Sequence, residues 1–192
     1  SKDYYPLFAQ YLHSDGMSVQ TNNLDRFVKV ENICLPFEGD VNIFVLRDIL
    51  SKVKDFEMSL VDAEILRIKT NTVSYNLNVG DFDFLSIDKP EVEMFDVNED
   101  LMNKLKIAQR FLGNDSIYKY IYLDSGKVIS TDTNKLFVSP CSLGLQKPLG
   151  IDSSLFKILR EDLKIGESDG SVVVEFDRGY IISTSEYMDD YP

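Results

Sequence analysis

The chain has 192 residues, 44% of them hydrophobic and 11% aromatic, enough to bury one ordinary core or two small ones. Its formal net charge is -12, from 32 acidic and 20 basic residues. Such a surface repels phosphate and excludes a simple basic-patch nucleic-acid binder, so any DNA contact requires positive charge gathered where the acidic remainder does not reach.

In chain order, YLHSDGMSVQTNNLDRFV (11–28) alternates apolar and polar residues around Gly16, as paired strands do. The looser ENICLPFEGDV follows, and then FVLRDILSKVK, where Leu46, Ile49 and Leu50 have the i, i+3, i+4 spacing of a helix with one buried face. EILRIKTNTVSYNL predicts two strands around the turn Thr70-Asn71-Thr72, and the acidic SIDKPEVEMFDVNED, with Pro90, predicts an extended linker. DLMNKLKIAQRFLGND predicts a helix striped by Leu101, Leu105, Ala108 and Leu112, capped by Asn98 or Asp100 at its start and Gly113 at its end. Strand patterns return in IYLDSGKVISTDTNKLFV (121–138). A looser PCSLGLQKPLG leads to a helical pattern in SSLFKILREDLK (Leu155, Ile158, Leu159), and SVVVEFDRGYIIST predicts strands around Asp177-Arg178-Gly179.

The order of elements occurs twice. At an offset of 110, Gly16 meets Gly126, Thr21 meets Thr131, and Phe27-Val28 meets Phe137-Val138. The fold class is therefore expected to be α+β, two copies of one unit, each of antiparallel sheets with one or two short helices. The expected boundaries are 1–88 for the first unit, 89–98 for a linker and 99–192 for the second.

Placing each helix at about 100° per residue shows what lies opposite its apolar stripe. Arg47, Ser51 and Lys54 do so in the first; Asn103, Lys106 and Arg110 in the second; Ser153, Lys157, Arg160 and Lys164 in the third. Lys52 and Lys104 fall on the flanks of their stripes. The three segments hold nine of the 20 Lys and Arg, so basic charge is collected on the helices of an otherwise acidic protein. A surface of this kind meets a phosphate backbone without reading bases.

A catalytic reading finds little support. His13 stands alone, the Asp81/Asp83 and Asp189/Asp190 pairs read as solvated acids, and no nucleophile elbow, P-loop or Cys-His pairing is present. Cys34 and Cys141 are too few for a disulfide framework and too distant for a zinc pattern, which leaves them as free thiols. No apolar run approaches the roughly 20 residues that cross a bilayer. SKDYYPLFAQ lacks the basic-then-apolar order of a signal peptide, so a cytoplasmic location is expected.

These residues resemble the DNA sliding clamps, most closely the beta subunit of bacterial DNA polymerase III. YPLFAQYLHSDGMSVQTNNLDRFVKVE looks like the opening of that family's first domain, and ISTDTNKLFV is similar to the Ala-Thr-Asp-Gly-His-Arg-Leu segment of its second. VGDFDFLSIDKPEVEMFDV looks like the linker between the two, and TSEYMDDYP like the run into a third domain. No single motif is strong; collinearity over the whole chain carries the resemblance. It departs from the family in lacking the first domain's opening helix and all of the third domain, so a two-domain clamp and a fragment of a three-domain subunit are both open.

The resemblance implies duplicated clamp domains whose helices line the interior of a homo-oligomeric ring, a processivity factor of DNA replication that encircles duplex DNA without catalysis or cofactor. Polymerase and clamp loader are the implied partners, with no membrane. DNA-facing side chains would be Arg47, Lys54, Lys106, Arg110, Lys157, Arg160 and Lys164, joined by Lys2 and Asn114. Tyr120, Thr131, Leu136 and Pro192 fall where the family's second domain contributes to a pocket for hydrophobic peptides. The rival readings are a clamp-like adaptor that closes no ring, and a fragment of a larger subunit.

Overall fold

The computed structural model of the protein describes residues 7–82, 84–114, 118–124, 126–145 and 147–185. The chain divides into two compact units, Ser1–Asp88 and Lys89–Pro192.

In the first unit, a 3-10 turn at Leu7–Gln10 precedes β1 (Tyr11–Asp15), β2 (Ser18–Asn22), β3 (Arg26–Glu31) and β4 (Glu38–Asn42). These pair antiparallel in the order β4-β1-β2-β3. Gly16, at φ +83°, makes the β1–β2 turn, a left-handed geometry that a residue with a Cβ resists. α1 (Ile43–Lys52) follows β4 directly. Its first turn is closed by Asn42, whose side-chain oxygen accepts the N–H groups of Phe44 and Val45 at 3.1 Å each. β5 (Glu57–Val61), β6 (Ile65–Lys69) and β7 (Ser74–Asn78) form a three-stranded meander. The Leu46 and Ile49 face of α1 packs with Phe37, just before β4, and Val41 of β4 on one side, and with Leu66, Ile68 and Leu77 of the meander on the other. Each fully buried aliphatic side chain of this kind contributes about 1.5–3 kcal/mol. Leu50 is half-buried against the same cluster, so the stripe expected of this helix is the one observed.

The second unit opens with β8 (Phe95–Asp96), which lies inside the stretch expected to be linker and pairs with β13 (Lys164–Ser168). α2 (Glu99–Ala108) is capped by Asn98, whose oxygen accepts the Leu101 N–H at 2.9 Å. Gly113 does not end it. The helix tightens into a 3-10 turn at Gln109–Phe111, and the buried Ser130 hydroxyl donates to the Ala108 carbonyl at 2.8 Å, satisfying an acceptor the last turn leaves open. β9 (Tyr120–Asp124), β10 (Lys127–Thr131), β11 (Leu136–Pro140) and β12 (Leu149–Asp152) make a sheet in the order β11-β10-β9-β12. Gly126, at φ +73°, repeats the turn role of Gly16. β14 (Ser171–Phe176) and β15 (Gly179–Thr184) continue from β13 as an antiparallel meander.

Two features differ from the sequence reading. The third helix is only the single turn α3 (Ser153–Phe156); Ile158 and Leu159 donate to the carbonyls three residues back, and a strand has begun by Lys164. Leu155 and Leu159 are still buried, but Phe156 takes the inward place and Ile158 is 42% exposed, because 3-10 turns advance at a different angle from the α-helix assumed. Second, the register of the repeat slips. Thr21 stands opposite Val28, whereas Thr131 stands opposite Leu136. The β2–β3 ladder carries one more pair, Asn22 with Phe27, before its turn. A slip of two residues leaves every side chain on its original face, which is why the duplication survives it.

Candidate nucleic-acid interface

Of the proposed DNA-facing residues, Arg47 lies on the exposed side of α1, its guanidinium 5.8 Å from the centre of the Phe44 ring. Lys52, on the flank, pairs with Asp48 at 2.6 Å, one turn away. That hydrogen bond and charge raise the Lys52 pKa. Lys54 is off the helix: Val53 is extended at φ -115° and ψ 140°, and Lys54 sits in the bend beyond it.

On α2 the exposed stripe runs Asn103, Lys106, Ile107 and, one turn on in the 3-10 extension, Arg110. Lys104 is drawn aside to Asp100, leaving Lys106 and Arg110 as the cations of this face. Asn114 follows in an exposed bend.

The third cluster is less helical than expected. Lys157 is the exposed C-cap of α3. Arg160, in the turn after it, is bound by Asp162 at 2.7 Å. Lys164 is the first residue of β13, opposite Glu175 on one side and Asp96 on the other, a ladder position between acids. The helical projection from Ser153 put Lys164 beside Lys157 only by continuing a helix that stops at Phe156. Lys2 lies outside the described residues.

Sequence reasoning missed the apolar surface beside these cations. Phe44 and Val45 on α1, Ile107 on α2 and Ile158 after α3 are 39–48% exposed. The signal was present as apolar positions beside the stripe in α1 and α2 and, for Ile158, within the expected stripe itself, but periodicity assigns such residues to the core.

The pocket residues of the second unit come together in part. Thr131 and Leu136 are a cross-strand pair. The β9–β10 register, with Ile129 opposite Tyr122, carried two residues further brings Tyr120 level with Thr131. Leu136 and Val138, two residues apart on one face of β11, are 54% and 49% exposed. Tyr120 is buried at 5%, with the Lys119 ammonium 5.1 Å from its ring centre. The Thr131 hydroxyl donates to the Lys135 carbonyl at 2.7 Å and accepts the Thr133 N–H at 3.1 Å, so it shapes the β10–β11 turn. Asp132 closes that turn by accepting the Lys135 and Asn134 N–H groups, and the Lys135 N–H above all holds its carboxyl below the usual range. Pro192 lies outside the described residues.

His13 is a strand residue whose Nδ1 is 3.2 Å from the buried Asp40 carboxylate. Of the acid pairs, Asp83, Asp189 and Asp190 lie outside the described residues. Among the described residues no group of three or more His, Cys, Asp or Glu is placed to hold a metal, and no helix is long and apolar enough to cross a membrane.

No protein-family model and no curated protein sequence matches the chain. Solved structures do. The Helicobacter pylori beta clamp bound to a DNA ligase peptide superposes with a TM-score of 0.71 at 19% identity, over 100% of this chain and 62% of that one. The Bacillus subtilis DNA polymerase sliding clamp gives 0.73 at 15%, over 100% and 60%. The DNA polymerase III beta subunit of Thermotoga maritima gives 0.73 at 14%, over 98% and 60%. The chain thus spans about 60% of the length of the clamps it matches. At these identities the likeness is one of fold, and over essentially its whole length this chain has the fold of the bacterial DNA polymerase III beta sliding clamps.

Proposed function

We propose that this chain acts, alone or as part of a longer subunit, as a DNA sliding clamp: a non-catalytic processivity factor that encircles duplex DNA and tethers a polymerase to it. The observation that carries the reading is the charge arrangement within the fold. In a protein of net charge -12, exposed Arg47, Lys106, Arg110 and Lys157 stand on or at the ends of the helices of a twice-repeated clamp unit, while Lys52 and Lys104 are neutralised by helix neighbours. Cations so placed give sequence-independent, salt-sensitive contact with phosphate. Lys54, Arg160, Lys164, Lys2 and Asn114 remain proposed contributors, the first three from a bend, a turn and a strand. A ring keeps a weakly held polymerase near its template by raising its effective concentration.

Ring closure requires strand edges that accept a neighbour. β11 and β7 each end their sheets, and β11 carries the exposed Leu136 and Val138. Tyr120, Thr131, Leu136 and Pro192 are the proposed contribution of the second unit to a peptide pocket for polymerase and clamp loader, a reading supported by the fold shared with a Helicobacter pylori clamp that binds a DNA ligase peptide. A cytoplasmic site of action accords with this role.

The test is retention on DNA. After loading on a nicked circle, the protein should stay bound and should slide off when the circle is cut. The triple variant Arg47→Glu, Lys106→Glu, Lys157→Glu should lose retention. A wild type released equally from circular and linear DNA would defeat the reading. The exposed Phe44, Val45 and Ile107 would then favour a clamp-like adaptor that uses these faces for protein.

A further inference from the structure

The sequence contains the dipeptide Asp-Gly twice, at Asp15-Gly16 and Asp169-Gly170, each in the turn of a hairpin. An aspartyl carboxyl is open to attack by the backbone nitrogen that follows it, and glycine leaves that nitrogen without a side chain beside it. The fold treats the two copies differently.

Asp15 is tied down. Its Oδ1 accepts the Met17 N–H at 2.9 Å and the Ser18 N–H at 2.5 Å, and its Oδ2 accepts the Ser18 hydroxyl at 2.8 Å. The Gly16 N–H donates to the buried Ser14 hydroxyl at 3.1 Å. Burial works against ionisation of Asp15, but these bonds to its oxygens and the Lys29 charge outweigh it and favour the carboxylate, the form with no hydroxyl to expel.

Asp169 is 99% exposed, with the Lys147 ammonium 4.0 Å from its Oδ1. With Gly170 it makes a two-residue turn between the paired Ser168 and Ser171, at φ +43° and +78°. Asp169 thus occupies the left-handed region at a cost that glycine does not bear. A Cβ at Gly170 would meet nothing within 4 Å, so the peptide joining the two residues turns in open space. The Gly170 N–H donates to Glu167 Oε1 at 3.2 Å, which puts a carboxylate on the nitrogen that must lose its proton.

We infer that Asp169 is a site of spontaneous isomerisation to isoaspartate, and that Asp15 in the same chain is protected from it. The Gly170 nitrogen attacks Cγ of the protonated Asp169 carboxyl. The N–Cγ bond forms, the nitrogen's proton passes to Glu167, and the Cγ–OH bond breaks as the hydroxyl takes up that proton and leaves as water. The product is a five-membered succinimide. Water then adds to its α-carbonyl carbon and opens the ring, so that the chain runs through the former side chain and the α-carboxylate is free. One water leaves and one enters, and nothing is oxidised or reduced. The methylene gained by the main chain lengthens a two-residue turn that sets the Ser168–Ser171 pairing.

The test is a time course of the full chain at mildly acidic pH in water labelled with heavy oxygen, followed by tryptic digestion. Each passage through the succinimide installs one labelled oxygen, and electron-transfer fragmentation distinguishes isoaspartate from aspartate. Peptide 165–178 should gain label and isoaspartate at least about tenfold faster than peptide 3–26, because Asp15 must first release a charge-assisted hydrogen bond. In urea, where the fold is lost, the two rates should converge. Glu167→Gln should slow labelling of 165–178 in the folded chain and leave its rate in urea unchanged.

Equal rates at the two sites in the folded chain would overturn the inference. So would an unlabelled 165–178 over a period in which the chain in urea is labelled. A folded Glu167→Gln variant labelled as fast as wild type would overturn the proton transfer to Glu167.

Discussion

The Asp40 carboxylate has no exposed surface, and its two oxygens join three parts of the first unit: Oδ1 lies 3.2 Å from His13 Nδ1 on β1, and Oδ2 accepts the Phe82 N–H at 2.7 Å. Asp40 and Gly80 also exchange both backbone hydrogen bonds at 2.8 Å. Phe82 then packs on Tyr11 at 4.5 Å between ring centres, and Phe84 stacks on His13 at 5.3 Å. The only histidine of the chain is thus part of a strap that holds Gly80, Phe82 and Phe84 to the sheet. Asp40→Ala leaves the Phe82 N–H and the His13 imidazole without this partner and should destabilise the first unit by about 1–3 kcal/mol. Asp40→Asn, which still accepts from Phe82, should cost well under half of that. Urea unfolding of the two variants checks the order; equal losses would mean that the strap does not depend on this carboxylate.

Gly39 should be the most substitution-sensitive glycine of the strap. At φ +120°, a Cβ would stand 2.5 Å from the Gly80 carbonyl oxygen and 2.8 Å from the Val79 side chain. Gly39→Ala is expected to lose about 1–3 kcal/mol or more through backbone strain and a broken bridge. The corresponding measurement is the midpoint of thermal unfolding, together with the hydrogen-exchange rates of the Asp40 and Gly80 amides, which should rise together.

At the start of α1, Asn42→Ala removes the acceptor of two N–H groups and should cost about 1 kcal/mol, while Asn42→Asp should be tolerated because the carboxylate caps equally well and favours the helix N-terminus. Chemical denaturation reads both. A neutral Asn42→Ala would mean that the burial of Leu46 and Ile49 alone holds the helix.

Burial raises the Asp15 pKa, but the Ser18 hydroxyl, the Met17 and Ser18 N–H groups and the Lys29 charge outweigh it, leaving the group below its ordinary value. A depressed folded pKa gives stability that is fully present above the unfolded value of about 3.9 and is lost as pH falls through the folded one. Asp15→Asn should therefore be less stable than wild type near neutral pH, and the gap should close as pH is lowered below about 3. Denaturant midpoints across that range decide it; a constant gap would assign the loss to hydrogen bonding and not to charge.

For the DNA-facing cations, salt dependence separates phosphate contact from folding defects. Each contact removed should lower the slope of log affinity against log salt by about 0.9. Arg47→Gln with Lys106→Gln should thus flatten the slope by roughly two such steps at unchanged thermal stability. Lys52→Gln and Lys104→Gln, whose charges are already spent on Asp48 and Asp100, should change it less. Equal effects from both pairs would argue against a selected face.

Local signals account for much of the architecture. Gly16 and Gly126 mark the two matched turns because only a residue without a Cβ enters that region freely. The i, i+3, i+4 leucines and isoleucines of α1 and α2 announced amphipathic helices because a helix on a sheet must bury one stripe. The hairpins 65–78 and 171–184 were legible from runs rich in β-branched and aromatic residues on either side of polar turns. The duplication followed from the order of these pieces and needed no long identity.

What the tertiary structure decided are the relations that local pattern does not encode. α3 stops after one turn although its leucines keep helical spacing, and the chain passes through turns at Ile158, Leu159 and Leu163 before β13 begins at Lys164. Register decided that Thr131 meets Leu136 while Thr21 meets Val28, because cross-strand pairing depends on how many residues the turn absorbs. Asp40 reads in sequence as one more solvated acid, and only the return of the chain at Gly80–Phe82 makes it a buried tie. The exposed Phe44, Val45 and Ile107 are apolar letters whose facing depends on which side of each helix the sheets cover. Sequence carries propensity along the chain; contact between distant residues determines which propensities are used.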